Sequence, residues 1–452
     1  MNVISDKIYI DFYNSKLNQE FLSTLVYDNP DYFMKMNIGV SVYGVPKQFQ
    51  TFELKNGTLT VTRGEYGKLI KADPNIEVKF DFEDHPIDLQ YINNDFTLDD
   101  FQEGCVEALK TRRQGVVHAV TSAGKSLMIV KAICELKQRA VIIVHRKLLM
   151  EQFINDIKAY VRDKDGKPIK IGFIGNGKYE IGDITIAIDK TLAKNLYRCR
   201  KEFGVVFMDE CHLAPSATMY TVINSLCAER RYGFSGTLKR KDQKEFLMYA
   251  SFGPIIYSIA RSELENVNRV VKVEPKIITS NVLFDFGSVI ESVGVTRAHQ
   301  MLEDFLMKST DRKKIILDEV VKMKGKTIIL SKRVEPCYEL QRELLEKYGV
   351  QSGVITGKDA KGSLESFNKM KFDDLQIIFA TVGCVSTGIS ISDLQNIFLI
   401  SPIYSNEALL KQIRGRVMRT APGKDIGYLY FLYDQHVFHS GKLQKFLSII
   451  KD

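Results

Sequence analysis

Lys125 and Ser126 follow Gly124 at the junction of a short apolar run, Gly115-Val-Val-His-Ala119, and a helically spaced one, Ser126 to Leu136. A strand, a turn and a helix start in that order make a phosphate cradle. Gly124 lets the backbone approach an anion. The N–H groups of Thr121, Ser122 and Ala123, with the helix N-terminus behind them, favour negative charge. Lys125 is then placed to neutralise β- and γ-phosphates, and the Ser126 hydroxyl to coordinate Mg²⁺. The usual first glycine is Ala119 here, so the match is to a relaxed form. A second pair, Asp209-Glu210, ends the apolar run Val205-Val-Phe-Met208. Beside a bound nucleotide, Asp209 would hold Mg²⁺, directly or through water, and Glu210 would orient and deprotonate the attacking water. Asp in such a place also reads as a helix N-cap; the cradle upstream decides between the two. His212 reads either as a carrier of information away from the nucleotide or as a satisfied structural histidine. Cys211 reads as a small spacer.

These residues need strands to hold them. Ala140–Val144, Ile184–Ile188 and Val205–Met208 are continuous apolar runs that alternate with helical spacing. Such runs indicate a parallel sheet covered on both faces. The pattern recurs at Thr327–Leu330, Ser352–Ile355, Gln376–Ala380 and Asn396–Ile400, without a second cradle. One sheet with a cradle and one without suggest a nucleotide bound between two unequal lobes. Residues 1–90 read as a separate α+β module: Lys7–Phe12 alternates like a strand. Phe49–Leu54 and Thr58–Thr62 flank an Asn56-Gly57 hairpin turn. The acidic stretch Asp81–Pro86 reads as a linker. The expected organisation is an accessory module over 1–90, a first lobe over 91–260, a connection over 261–310 and a second lobe over 311–452. The fold class is α/β.

A chain of 452 residues is too long for one core. No apolar run approaches the roughly 20 residues that cross a bilayer, and the first residues lack a secretory signal pattern. Seven scattered cysteines form no CxxC pair, which argues against a zinc site or disulfide framework and fits a reducing cytosol. Residues 1–90 hold nine Lys/Arg and thirteen Asp/Glu, a balance of −4, which leaves +12 for the rest of a chain whose total is +8. A basic body fits a polyanionic partner or a solvated basic surface.

In order along the chain, the cradle, Asp209-Glu210-Cys211-His212 and Gln412-Ile-Arg-Gly415-Arg416-Val-Met-Arg419 resemble superfamily 2 helicases and translocases. The resemblance runs over roughly residues 96–420. It implies two RecA-like lobes around ATP and Mg²⁺. It makes Gln102, in Phe96-Thr-Leu-Asp-Asp-Phe-Gln102, the adenine-reading glutamine. Ser235-Gly-Thr237 looks like the family's coupling motif. Thr387-Gly388-Ile-Ser390 looks like the segment touching both nucleotide and strand, with Ser390 where many members carry Asp. Gln412, Gly415, Arg416 and Arg419 match the family's QxxGRxxR element. Arg416 and Arg419 are both candidates to stabilise charge on the transferring phosphoryl group.

The same resemblance implies a nucleic-acid track. Arg146 and Lys147 occupy a backbone-contact position in the first lobe, and Ser331, Lys332 and Arg333 a corresponding one in the second. Thr356, Gly357 and Thr381 are weaker candidates at later strand ends. Phosphate contacts position a strand without reading it, so weak sequence preference and strong salt dependence are expected. Thr237-Leu-Lys-Arg240-Lys-Asp242 and Phe252-Gly-Pro-Ile-Ile-Tyr257 resemble the repair and branch-migration branch related to XPB and the phage UvsW-type helicases. That implies a monomeric, cytoplasmic DNA helicase of a tailed phage. It would act on forked or branched DNA, with replication or recombination proteins as candidate partners. An RNA helicase, or a duplex translocase that separates no strands, fits the same motifs. Residues 1–90 read equally as a DNA-engaging or a protein-docking module.

Overall fold

The computed structural model describes the chain apart from residues 1, 93–96, 121, 176, 241, 268–269, 387–390, 392, 402–406, 438–442, 445 and 449–452. It divides into two compact units, residues 1–263 and 264–452. Among the described residues, no helix is long and apolar enough to cross a membrane.

The first unit is built on an eight-stranded sheet. Its order is Lys178–Glu180, Ile171–Gly175, Ile184–Ile188, Ala140–Val144, Val205–Asp209, Arg230–Ser235, Gln114–Ala119, Ile255–Ile259. Only the outermost strand, Lys178–Glu180, runs antiparallel to its neighbour. Ala140–Val144 and Val205–Asp209 are buried at every residue, as the apolar runs Ala140–Val144 and Val205–Met208 require of central strands covered on both faces. Burying each such Val or Ile contributes about 1.5–3 kcal/mol.

Residues 2–82 form a sheet of their own, ordered Phe52–Lys55, Thr58–Val61, Ile8–Asp11, Val3–Ile4, Lys79–Phe80, over a core that includes Ile8, Ile10, Leu25, Leu59 and Leu69. Asn56 and Gly57 turn the first hairpin at φ 49° and 78°, the left-handed pair a two-residue turn needs. The first strand of that hairpin starts at Phe52, three residues later than its alternation suggests. Phe49 belongs to Gln48–Gln50, which pairs with Val26–Asp28 instead. Thr51 makes the switch: its N–H and hydroxyl both donate to the Leu25 carbonyl, at 3.0 and 3.2 Å.

Two buried arginines join this sheet to the eight-stranded one. Arg63 donates to the carbonyls of Ala228 and Glu229 and to Gln114 Oε1, and Arg231 to those of Asp6, Leu226 and Ser251. Lys244 pairs with Asp31. The acidic stretch after the small sheet is pinned as well. Glu83 pairs with Lys201 at 2.9 Å, the His85 N–H donates to Gln138 Oε1 at 2.9 Å, and the Arg139 N–H donates to the His85 carbonyl at 2.7 Å.

The second unit carries a six-stranded, wholly parallel sheet: Lys272–Ser280, Ile426–Asp434, Asn396–Leu399, Thr327–Ser331, Ile377–Thr381, Gly353–Ile355. Lys272–Ser280 is an edge strand, where Pro275 can sit because one side of the backbone needs no donor. Local signals fix the helices. Glu335–Tyr348 has Pro336 in its first turn and stops at Gly349, φ 66°. Asp359 caps Ala360–Lys371, and Ser309 caps Thr310–Lys322. Arg312 and Asp434 form a fully buried ion pair at 2.9 Å, and Arg312 also donates to the Ile400 carbonyl at 2.5 Å.

Candidate active site and nucleic-acid track

Parallel pairing brings three strand ends side by side. Ser235 lies opposite His118, one residue before the cradle, and Asp209 opposite Phe234. The phosphate cradle, Asp209-Glu210 and Ser235 therefore share one edge of the first sheet, where helix N-termini and strand C-termini meet.

Gly124 stands at φ 78° before the helix Lys125–Leu136. A Cβ there would fall 2.4 Å from Gln102 Nε2. Gln102 is why the space is tight: its Nε2 donates to the Ala123 carbonyl at 2.9 Å, while its Oε1 accepts from the Asp99 N–H at 3.0 Å. The second bond belongs to a capping box that starts the helix Asp100–Thr111. Gln102 thus braces the cradle from a neighbouring helix. Ser122 takes φ 74° and Ala123 is buried. Lys125 Nζ donates to the Ala119 carbonyl at 3.3 Å, so the cation folds over its own loop. Ser126 lies in the first turn of the same helix. The N-cap residue Gly124 has no side chain to cap that helix, and the first N–H groups of a helix suit an anion. These features fit a bound nucleoside triphosphate. Thr121 lies outside the described residues.

Asp209 and Glu210 are each 8% exposed. Asp209 Oδ1 accepts from the Glu210 N–H at 3.0 Å, and Glu210 takes a left-handed φ of 54°. That turn lets successive acidic residues leave the strand in different directions. Glu210 Oε2 is 3.2 Å from His212 Nδ1, which is 3.0 Å from Ser235 Oγ. Ser235 Oγ in turn donates to the Thr237 carbonyl at 2.7 Å and accepts from the Thr237 N–H at 3.1 Å. With the hydroxyl hydrogen spent on Thr237, Nδ1 is the donor to Ser235, and the same N–H faces Glu210. Arg240, paired with Asp242 at 2.6 Å, also donates to the His212 carbonyl. The relay Glu210–His212–Ser235–Thr237 thus joins the acidic pair to the next strand end.

Cys211 is fully buried, and burial first, then Glu210 and Asp209, push its thiol well up while Lys125 opposes them. A Cβ on Gly233 would come within 2.7 Å of Cys211 Cβ, so the two residues must be small together.

Arg146 lies two residues past the strand Ala140–Val144, as N-cap of the helix Lys147–Tyr160. In the second unit, Ser331 ends its strand and its hydroxyl accepts from the Arg333 N–H at 3.2 Å, while the Lys332 N–H donates to Ser401 Oγ at 3.0 Å. The charged ends of Lys332 and Arg333 are already engaged. Lys332 Nζ is 2.7 Å from Glu303, and Arg333 pairs with Asp304. That acidic pair, on the helix Val295–Lys308, has no signature in sequence. Thr356 is buried, with its N–H on Ser363 Oγ at 2.9 Å, whereas Gly357 is exposed. Thr381 donates to Cys384 Sγ at 3.2 Å. Gln412 and Arg416 lie four residues apart on one face of the helix Glu407–Val417. Arg419 lies past its end, bridged to Val270. Lys424 Nζ closes that end by donating to the Val417 and Arg419 carbonyls, both at 2.7 Å. Gly388 lies outside the described residues.

Two family models match this chain: type III restriction enzyme, res subunit, over residues 93–240, and helicase conserved C-terminal domain over 311–421. The chain belongs to the superfamily 2 helicases. Its first-unit match takes in the cradle, the acidic pair and Ser235, and its second-unit match takes in Gln412, Arg416 and Arg419. Similar curated proteins include probable helicase D10 of Escherichia phage T5, 24% identical over 68% of this chain and 65% of that protein. The ATP-dependent DNA helicase uvsW of Enterobacteria phage T4 is 25% identical over 74% and 67%. The XPB helicase/translocase subunit of Schizosaccharomyces pombe is 23% identical over 74% and 43%. The chain therefore spans about two thirds of its phage relatives' length and under half of the XPB subunit's. Among solved structures, a fragment of an HsdR subunit of a type I restriction enzyme from Vibrio vulnificus is similar in fold, with a TM-score of 0.54 at 15% identity over 81% of this chain and 68% of that one.

Proposed function

We propose that this chain is an ATP-dependent DNA helicase or translocase that remodels forked or branched DNA, by unwinding, branch migration or annealing. The observation that carries the reading is the shared strand edge in the first unit, where cradle, acidic pair and coupling serine stand together and His212 touches both Glu210 and Ser235. In this reading Lys125 and the cradle N–H groups hold the phosphates, and Gln102 braces the loop from the adenine side. Ser126 and Asp209 would hold Mg²⁺, which would neutralise charge on the phosphates. Glu210 takes a proton from the attacking water. Arg416 and Arg419 supply positive charge to the γ-phosphoryl group, with Gln412 beside them. Arg146, Lys147, Ser331, Lys332, Arg333, Thr356, Gly357 and Thr381 form the track for the strand, and His212, Ser235 and Thr237 couple the two activities.

The phage and XPB relatives support DNA as the polymer, and the net positive charge of residues 91–452 supports a polyanionic partner. The test compares ATP hydrolysis in the presence of forked DNA, linear duplex and RNA. The expected order is fork above linear duplex above RNA, with Lys125→Ala abolishing all three responses. Equal or greater stimulation by RNA sinks the DNA assignment, and turnover retained by Lys125→Ala sinks the motor. The match to the restriction-enzyme res subunit supports a second reading, a duplex translocase that separates no strands. Triplex displacement without fork unwinding would favour it.

A further inference from the structure

One polar side chain on the active edge has no task in that scheme. His145 follows the strand Ala140–Val144, which runs parallel to Val205–Asp209 with Ile143 opposite Met208. Two residues further in that register, His145 comes level with Glu210. Its ring lies in the field of Arg146, Glu210 and His212. Neither ring nitrogen reaches solvent or has a hydrogen-bond partner among the described residues. Buried polar groups are normally paired, so an idle one asks for a role or for another state that satisfies it. Burial first, then the Arg146 cation, hold the imidazole down to about 4. At neutral pH the ring is therefore uncharged, with one N–H to donate and one lone pair to accept. Glu210 Oε2, meanwhile, lies 3.2 Å from His212 Nδ1. Glu210 is thus near two imidazoles, one engaged with Ser235 and one idle.

We propose that His145 is a positioning residue for Glu210, acting when Arg146 and Lys147 hold a nucleic-acid phosphate. The His145 N–H then donates to the Glu210 carboxylate and draws it from His212 toward the attacking water. No covalent bond changes in this step; the idle His145 N–H gains an acceptor. His145 and Arg146 are adjacent in the chain, so a shift of the phosphate contact is passed to the ring through one peptide unit. The strand favours the second arrangement by binding it more tightly, as any ligand-driven shift requires. This inference rests on the proposed function and adds the step by which occupancy of the track reaches the acid that activates water.

The test uses the full chain and a single-stranded oligodeoxynucleotide. His145→Phe keeps the ring's bulk and removes both nitrogens; His145→Gln restores an N–H donor. His145→Phe is expected to lower the oligonucleotide-stimulated kcat about tenfold, with less than about a twofold change in KM for ATP or in the half-saturating oligonucleotide concentration. His145→Gln is expected to recover much of the stimulation. The melting temperature of His145→Phe should not fall, because two unpaired nitrogens leave the interior. Wild-type stimulation in His145→Phe overturns the inference, as does an equal loss of stimulated and unstimulated rates or a failure of His145→Gln to recover any response. If the unaltered chain hydrolyses ATP with no response to nucleic acid, it is the proposed function that fails.

Discussion

In the first unit the side chains after the strand ends meet one another, whereas in the second the charged side chains after a strand end are tied to a helix elsewhere in the fold. Glu210, His212, Ser235 and Thr237 form one relay along adjacent strand ends. Lys332 and Arg333 instead meet Glu303 and Asp304 on a helix about thirty residues upstream, and Arg312 is sealed against Asp434 in the interior. The difference separates two uses of charge. Neighbouring groups that share polar contacts can change partners at little cost. A sealed ion pair holds the fold and cannot be spared, and an exposed pair competes directly with any incoming phosphate.

The sealed pair gives the largest expected effect. Arg312→Ala leaves the Asp434 carboxylate buried without its cation, which costs about 3–5 kcal/mol. Proteolysis of the full chain on a temperature ramp should then cut within residues 264–452 well before it cuts within 1–263. Simultaneous cleavage of both would show that the pair is no special support of the second unit. The counterpart in the first unit is Glu210→Gln. It is expected to lower ATP turnover by about 10²–10⁴-fold while the melting temperature holds, because an amide keeps the side chain's shape. A stability loss as large as that of Arg312→Ala would mean that Glu210 is structural and would erase the contrast.

This contrast also decides what could be read in the sequence. The cradle and Asp209-Glu210 are legible because strand, turn and functional residue are contiguous, and the buried strands because both faces demand apolar residues. The edge strand Lys272–Ser280 is hidden, since one charged or proline residue after another breaks its pattern where a solvent-facing edge tolerates them. The hairpin shift at Phe52 depends on Thr51 finding the Leu25 carbonyl, a contact 26 residues away. Glu303 and Asp304 are ordinary acidic residues of an amphipathic helix until folding sets them against Lys332 and Arg333. The idle state of His145 depends on what packs around it, which no spacing records.

Within the relay the expected effects are smaller. His212→Ala removes a group that touches both Glu210 and Ser235, and Ser235→Ala removes its acceptor on the next strand. Each should lower the ratio of nucleic-acid-stimulated to unstimulated kcat by about tenfold, and the double variant by little more, because residues that act as a unit are not additive. Two independent tenfold losses that multiply would show that the serine and the histidine serve separate tasks.

The smallest effect belongs to the exposed pairs and bears most directly on the second unit. Glu303→Gln with Asp304→Asn removes the carboxylates that occupy Lys332 and Arg333 while keeping hydrogen-bonding shape. If these two cations belong to the track, phosphates must displace the carboxylates before they bind. The double variant should therefore bind a single-stranded oligonucleotide several-fold more tightly, since exposed ion pairs are worth about 0–1 kcal/mol each. The gain should shrink as salt rises, because screening weakens the native pairs and the phosphate contacts together. Fluorescence anisotropy across a salt series measures both. Unchanged affinity at low salt would place Lys332 and Arg333 outside the track and leave them, like Arg312, as parts of the scaffold.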